Sequence, residues 1–303
     1  MAQLEYVVVD VFTDRALAGN PLAVVTDTIG LETAHMQAIA REFNLSETTF
    51  IQRRPAEVER SEGVRVRIFT TQEELPFAGH PTLGTATVLR RMAPETTLDD
   101  TVRLALNVGT VPVRFDDAPA RSDVLFGEMT QRDPDFGAEL DGAQVARLTG
   151  LASEDLHPSA PPQVVSTGTA FAVVALRSSA SLAGLKVNHD EATACLRSHG
   201  GRWFFVLGPM PERGENETKR WQARMQFYGG EDPATGSAAG CAISYLVARE
   251  LVPSSERIHL RQGVEIGRPS DIFLSARREN ARVMDVRVGG STVLVANGKL
   301  FLP

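Results

Sequence analysis

The sequence predicts an α+β protein of two similar domains, each a mostly antiparallel sheet rolled around one central apolar helix. Three observations carry this. Strand-like segments outnumber helical ones along the chain. Two small-residue stretches, Phe77–Ala86 and Glu231–Gly240, each open directly into an apolar helical segment. Short segments also recur between the halves. Ala23-Val24-Val25 returns as Ala172-Val173-Val174, an offset of 149 (172 − 23), and Leu104-Ala105-Leu106 returns as Ile258-His259-Leu260, an offset of 154 (258 − 104).

The elements follow in order. Leu4–Phe12 and Leu22–Thr26 read as strands around a turn at Gly19-Asn20-Pro21, and Leu31–Phe43 has helical apolar spacing. Asn44–Ile51 is a polar turn running into a short strand, and Val64–Phe69 alternates as a half-exposed strand does. The first central helix is expected over His80–Met92, with Pro81 tolerated in its first turn and His80 as a candidate cap. Thr101–Leu106 and Val111–Phe115 pair around Asn107-Val108-Gly109, and the polar run Asp116–Asp123 reads as a linker. In the second half, strands are expected at Gln163–Ser166, Phe171–Leu176, Trp203–Leu207 and Trp221–Tyr228, with a helix at Asp190–His199. Pro211–Arg220 reads as a charged loop. The second central helix runs to about Glu250, followed by strands at Arg257–Arg261, Asp271–Ala276, Ala281–Val288, Thr292–Ala296 and Lys299–Leu302. The domains are placed at 1–118 and 119–291.

With 303 residues and 43% hydrophobic composition, the chain can build two ample cores. A net charge of −7 argues against general binding to nucleic acid or anionic membranes. Two cysteines, Cys195 and Cys241, cannot form a disulfide framework or a Cys-rich zinc site, and both read as core. The six histidines lack metal-ligand spacing, and neither glycine-rich stretch matches a dinucleotide fingerprint or a P-loop. Chemistry without cofactor or metal is the simplest expectation. The start Met-Ala-Gln-Leu-Glu lacks the features of a signal peptide and no apolar run would span a bilayer, so a cytoplasmic protein is expected.

Both small-residue stretches have the character of anion sites. The first N–H groups of a helix have no intrahelical partner, and the dipole favours negative charge there. Two such mouths in one chain suggest a cleft between related halves, occupied by a small anion. Glu47 is the leading carboxylate. Held at a strand end and partly desolvated, it would have a raised pKa and could shuttle a proton; in a solvated, capped turn it would do nothing. His80 either positions a substrate carbonyl and passes a proton, or only caps its helix. Asp232, ahead of Pro233, either caps its turn through Thr235 or Gly236 or accepts a hydrogen bond from a substrate hydroxyl or amine. Ser237 has no nucleophile elbow around it and suits anion binding better.

Five stretches together resemble the PhzF-like (phenazine biosynthesis) family: Asp10-Val11-Phe12, Gly19–Val25, Asn44–Thr48, Leu75–Thr82 and Asp232–Ala238. They come in the family's order and span nearly the whole chain. The resemblance implies the diaminopimelate-epimerase-like fold, in which C-terminal strands can cross back, so that 292–303 would complete the first domain. It implies a cofactor-independent isomerase, usually a homodimer, that moves a proton on a small cyclic or amino carboxylate. Carried onto this chain, Glu47 matches the proton shuttle, acting with His80 and Asp232. Asn20, Gly79, His80, Asp232, Gly236 and Ser237 match the substrate-binding positions. The two-thiol mechanism of related epimerases is not available, because Ala78-Gly79-His80 and Asp232-Pro233 stand at the mouths. A dehydratase or lyase beginning with the same proton abstraction, and a non-catalytic carboxylate-binding protein, are the alternatives.

Overall fold

The computed structural model describes residues 2–116, 123–211, 218–227 and 230–302. The chain forms two compact units: unit 1 comprises Met1–Thr130 with Gly289–Pro303, and unit 2 comprises Gln131–Val288. The expected boundary at 118/119, residues 117–122 of the linker, 212–217 of the charged loop and Tyr228 lie outside the described residues.

Unit 1 contains β1 (Ala2–Val11), β2 (Asn20–Val25), α1 (Thr33–Phe43), β3 (Glu47–Gln52), α2 (Ala56–Glu62) and β4 (Val64–Phe69). It continues with β5 (Glu74–Leu75), α3 (Gly79–Met92), β6 (Thr97–Leu98), β7 (Thr101–Leu106), β8 (Gly109–Phe115) and β9 (Val124–Thr130). Its ladders are antiparallel except β2–β3 and β4–β7, the two pairs joined through α1 and α3. The sheet wraps around α3, whose residues Gly79 to Arg90 are all buried. Gly84 lets this helix come close to the sheet: a Cβ there would lie 2.7 Å from Leu22 and 2.8 Å from Val11. On the outer face, Met36, Ile39 and Ala40 of α1 pack on Val25, Phe50 and Phe69. A pocket of about 410 Å³ remains at the C-terminal end of α3, lined by Val7, Val9, Val88, Met92 and Leu294 among others.

Unit 2 contains β10 (Asp135–Glu139), α4 (Gly142–Thr149), β11 (Gln163–Ser166), β12 (Ala170–Ala175), α5 (His189–Ser198), β13 (Trp203–Pro209) and β14 (Arg220–Arg224). Then come β15 (Gln226–Phe227), β16 (Gly230–Glu231), α6 (Gly236–Ala248), β17 (Ile258–Gln262), β18 (Ser270–Glu279) and β19 (Arg282–Leu302), which belongs to unit 2 up to Val288 and to unit 1 from Gly289 on. The pairing order repeats that of unit 1. β11–β12, β13–β14 and β17–β18 are antiparallel, while β12–β13 and β14–β17 are parallel and joined through α5 and α6. The apolar helix α6 is buried from Gly236 to Val247. The expected duplication is therefore present as topology, with the starts of β3 and β13 156 residues apart (203 − 47) and those of α3 and α6 157 apart (236 − 79).

Three of the expected C-terminal strands are one. β19 runs unbroken from Arg282 to Leu302, through Gly289-Gly290 and Asn297-Gly298, which lie between the expected strands. The glycines serve close approach instead of reversal. A Cβ at Gly289 would lie 3.0 Å from the Gly127 carbonyl, and one at Gly298 would lie 2.7 Å from the Tyr6 hydroxyl on the neighbouring strand. The expected strand Trp221–Tyr228 is likewise split at Met225 into β14 and β15. The second central helix stops at Ala248, short of Glu250, which adopts a left-handed φ of 60°.

Candidate functional site

In unit 1 the site forms where β2 and β3 begin and α3 starts. Gly19 sets up the first of these. Its φ is +65°, and a Cβ there would lie 2.4 Å from the Val11 carbonyl, so only glycine delivers the chain into Asn20 at this angle. Asn44 ends α1 in the left-handed region (φ 52°), its N–H bonding the Ala40 carbonyl, and turns the chain into Glu47, the first residue of β3. β2 and β3 are parallel, with Leu22 opposite Glu47, so Asn20 and Glu47 stand at the same sheet edge.

His80 is the second residue of α3 and does not cap it; Ala78 occupies the cap position with no side-chain bond. The imidazole turns inward instead. Asn20, Glu47 and His80 are all buried, at 0%, 8% and 2% exposure, which removes the solvated-turn reading of Glu47. Asn20 Nδ2 lies 3.1 Å from His80 Nδ1. An amide NH₂ can only donate, so Nδ1 is the acceptor and the neutral ring carries its proton on Nε2. That nitrogen faces Glu47 Oε2 at 3.5 Å, beyond the normal hydrogen-bonding range. Burial pulls the His80 pKa down to about 3, so the ring is neutral at ordinary pH. The first turn of α3 also presents the backbone N–H groups of Gly79 and His80; Pro81 has none, and the Thr82 N–H is bonded to Ala78 O.

In unit 2 the turn before α6 holds Asp232, buried at 4% exposure, whose Oδ2 accepts a bond of 2.7 Å from Thr235 Oγ1. Gly236 and Ser237 are the first two residues of α6, and Ser237 is buried. Gly240 leaves room for the Gln131 amide: a Cβ there would lie 1.9 Å from Gln131 Oε1. Gln131 Nε2 donates to the Gly236 carbonyl at 2.9 Å, and its Oε1 accepts from Thr167 at 2.6 Å, which fixes the first turn of the helix. Cys241, one turn in, is buried with its thiol pushed up to about 11, as its core reading requires.

The structure thus gathers Asn20, Glu47, Gly79 and His80 in unit 1, and Asp232, Gly236 and Ser237 in unit 2. Of the two partners the sequence offers Asp232 for capping its turn, Thr235 and Gly236, the Thr235 hydroxyl makes the bond. The sequence reading passed over Gln131 and Gln262, neutral residues whose partners lie far along the chain, so spacing holds no sign of them. Among the described residues, no group of three or more His, Cys, Asp or Glu is placed to hold a metal ion, and no helix is long and apolar enough to cross a membrane.

A mostly antiparallel sheet around a buried helix, present twice, places the chain in the racemase and epimerase class of folds. A probable proline racemase from Agrobacterium radiobacter shares this fold, with a TM-score of 0.64 at 11% identity over 99% of this chain and 93% of that one. Within that class the chain belongs to the phenazine biosynthesis-like protein family, whose model matches residues 9–298. It is 35% identical to the trans-2,3-dihydro-3-hydroxyanthranilate isomerase of Pseudomonas aeruginosa, over 98% of this chain and 99% of the relative. It is also 35% identical to an uncharacterised isomerase of Mesorhizobium japonicum, over the full length of both. A solved structure of a predicted epimerase from Pseudomonas aeruginosa has a TM-score of 0.83 at 32% identity, covering 99% of this chain and all of that one.

Proposed function

We propose that this protein is a cofactor-independent isomerase that moves a proton on a small cyclic or amino carboxylate. The observation that carries this reading is the buried Glu47 carboxylate facing a neutral imidazole 3.5 Å away. A carboxylate kept from bulk water is a stronger base than one in solution, which suits abstraction from carbon and return to a second carbon. His80 stays neutral and offers an N–H at Nε2, so it steadies developing negative charge without competing for the proton. Asn20 fixes that tautomer. The N–H groups that open α3, of Gly79 and His80, and those that open α6, of Gly236 and Ser237, are each a candidate contact for a substrate carboxylate. Asp232 is assigned to its polar substituent. The names of the isomerase relatives support the reaction class, and trans-2,3-dihydro-3-hydroxyanthranilate is the first compound to try. The working form in this reading is a homodimer, which sedimentation velocity checks.

The test is proton exchange in D₂O. The wild type should incorporate solvent deuterium into trans-2,3-dihydro-3-hydroxyanthranilate as it isomerises it, read by mass spectrometry. Glu47→Gln keeps the shape of the side chain and should lower the rate roughly 10²- to 10⁴-fold while leaving the fold intact. Undiminished exchange in that variant would remove Glu47 from the mechanism.

A further inference from the structure

The turn that carries Asp232 is held by a buried polar network centred on Gln262 and Thr235. Gln262, at the end of β17, is fully buried. Its Oε1 accepts the Thr235 N–H at 3.0 Å. Its Nε2 donates to the Asp232 carbonyl and to Thr235 Oγ1, both at 2.9 Å. Reversing the amide would set oxygen against the carbonyl oxygen and NH₂ against N–H, so its orientation is locked. Gln262 occupies one of the two lone pairs of the Thr235 hydroxyl, and the hydroxyl donates its proton to Asp232 Oδ2, 2.7 Å away. Pro233 is pinned as well. Ser270 Oγ donates to its carbonyl at 2.9 Å, and Gly263 passes so close that a Cβ would lie 2.6 Å from the same oxygen.

We propose that Thr235 and Gln262 are positioning residues that keep Asp232 a hydrogen-bond acceptor, selecting substrates that present an N–H or O–H donor to it. This rests on the reading of Asp232 as a substrate contact. The relay runs one way: Gln262 donates to Thr235, Thr235 donates to Asp232, and Oδ2 can only receive. A carboxylate receiving a short buried O–H bond is favoured in its charged form, so Asp232 takes a donor from the substrate and does not supply a proton.

The experiment follows the Asp232 carboxyl by ¹³C NMR across pH, with the signal assigned by its loss in Asp232→Asn. In Thr235→Val the Asp232 titration should move up by about one pH unit, and Thr235→Ser should restore it. Gln262→Leu, which frees the Thr235 hydroxyl to turn away, should move it in the same direction by less and serves if Thr235→Val does not fold. With trans-2,3-dihydro-3-hydroxyanthranilate, kcat/KM should fall about 10-fold in Thr235→Val, with the acid limb of its pH profile displaced alongside the NMR titration. An Asp232 titration unchanged in both Thr235→Val and Gln262→Leu overturns the proposal. A displaced titration in a protein that turns over no carboxylate upholds the network and removes the isomerase reading instead.

Discussion

Units 1 and 2 repeat one order of strand pairings, yet their equivalent positions carry different chemistry. Glu47 begins β3 in the first, and its counterpart at the start of β13 is Trp203. Glu47 is buried beside an imidazole; Trp203 packs against Phe171, meets Phe227 edge-on and lies under the Arg202 guanidinium. Likewise the second residue of the central helix is His80 in α3 and Ser237 in α6. The scaffold supplies two helix mouths with different side chains beside them: Glu47 and His80 at the first, Asp232 and Ser237 at the second. A duplicated fold need not duplicate its reaction; one copy can be given over to packing and ligand contacts.

The sharpest way to break this comparison is to cut both counterparts. Glu47→Gln should cost two to four orders of magnitude in exchange with little change in melting temperature. Trp203→Ala should do the reverse, lowering stability by about 2 kcal/mol in chemical denaturation with turnover largely kept. Equal effects of the two on turnover would refute the division of labour.

Next in size is Gly240→Ala in α6. The Cβ would displace the Gln131 amide from Gly236 and Thr167, at a cost of about 2 kcal/mol. The same experiment should raise KM, because the first turn of α6 loses its tether. His80 gives a pH signature. Its folded pKa, about 3, lies below the ordinary value of 6.5, so the unfolded chain binds more protons between those limits. Stability should therefore fall as pH drops below about 6.5, by up to about 1.4 kcal/mol per pH unit, with Glu47 the ionisable group facing the ring. The slope should flatten in His80→Gln when unfolding is measured at a series of pH values. The smallest effect is expected at Tyr245, counterpart of Val88 at the far end of the helix (245 − 88 is 157). Tyr245 is buried and its hydroxyl donates to Pro161 O at 2.8 Å, whereas Val88 borders the pocket of unit 1. Tyr245→Phe should cost about 1 kcal/mol in denaturant melts.

Much of this was legible from residues alone. Val64–Phe69 and Thr101–Leu106 alternate and, like Gln163–Ser166, form strands with the expected bounds. The two central helices announced themselves because small residues precede long apolar runs. α2 did not, since Ala56–Glu62 buries none of its residues and has no apolar stripe to detect. β10 is exposed along its whole length and equally silent. β19 was misread because glycine marks both a reversal and a close contact, and only the neighbouring strand decides which. At the site, motif residues were readable, but the inward turn of His80 depends on Asn20, 60 positions away in sequence. Gln262 was hidden for the same reason: a buried amide shows its purpose only once its three partners surround it.

β19 has a consequence for how the molecule is made. The edge of β1 is zipped to Thr292–Leu302, which follows the whole of Gln131–Val288 in the chain. The amino-terminal body, usually first to finish in a nascent chain, must here wait with an open seam until that distant strand has been made.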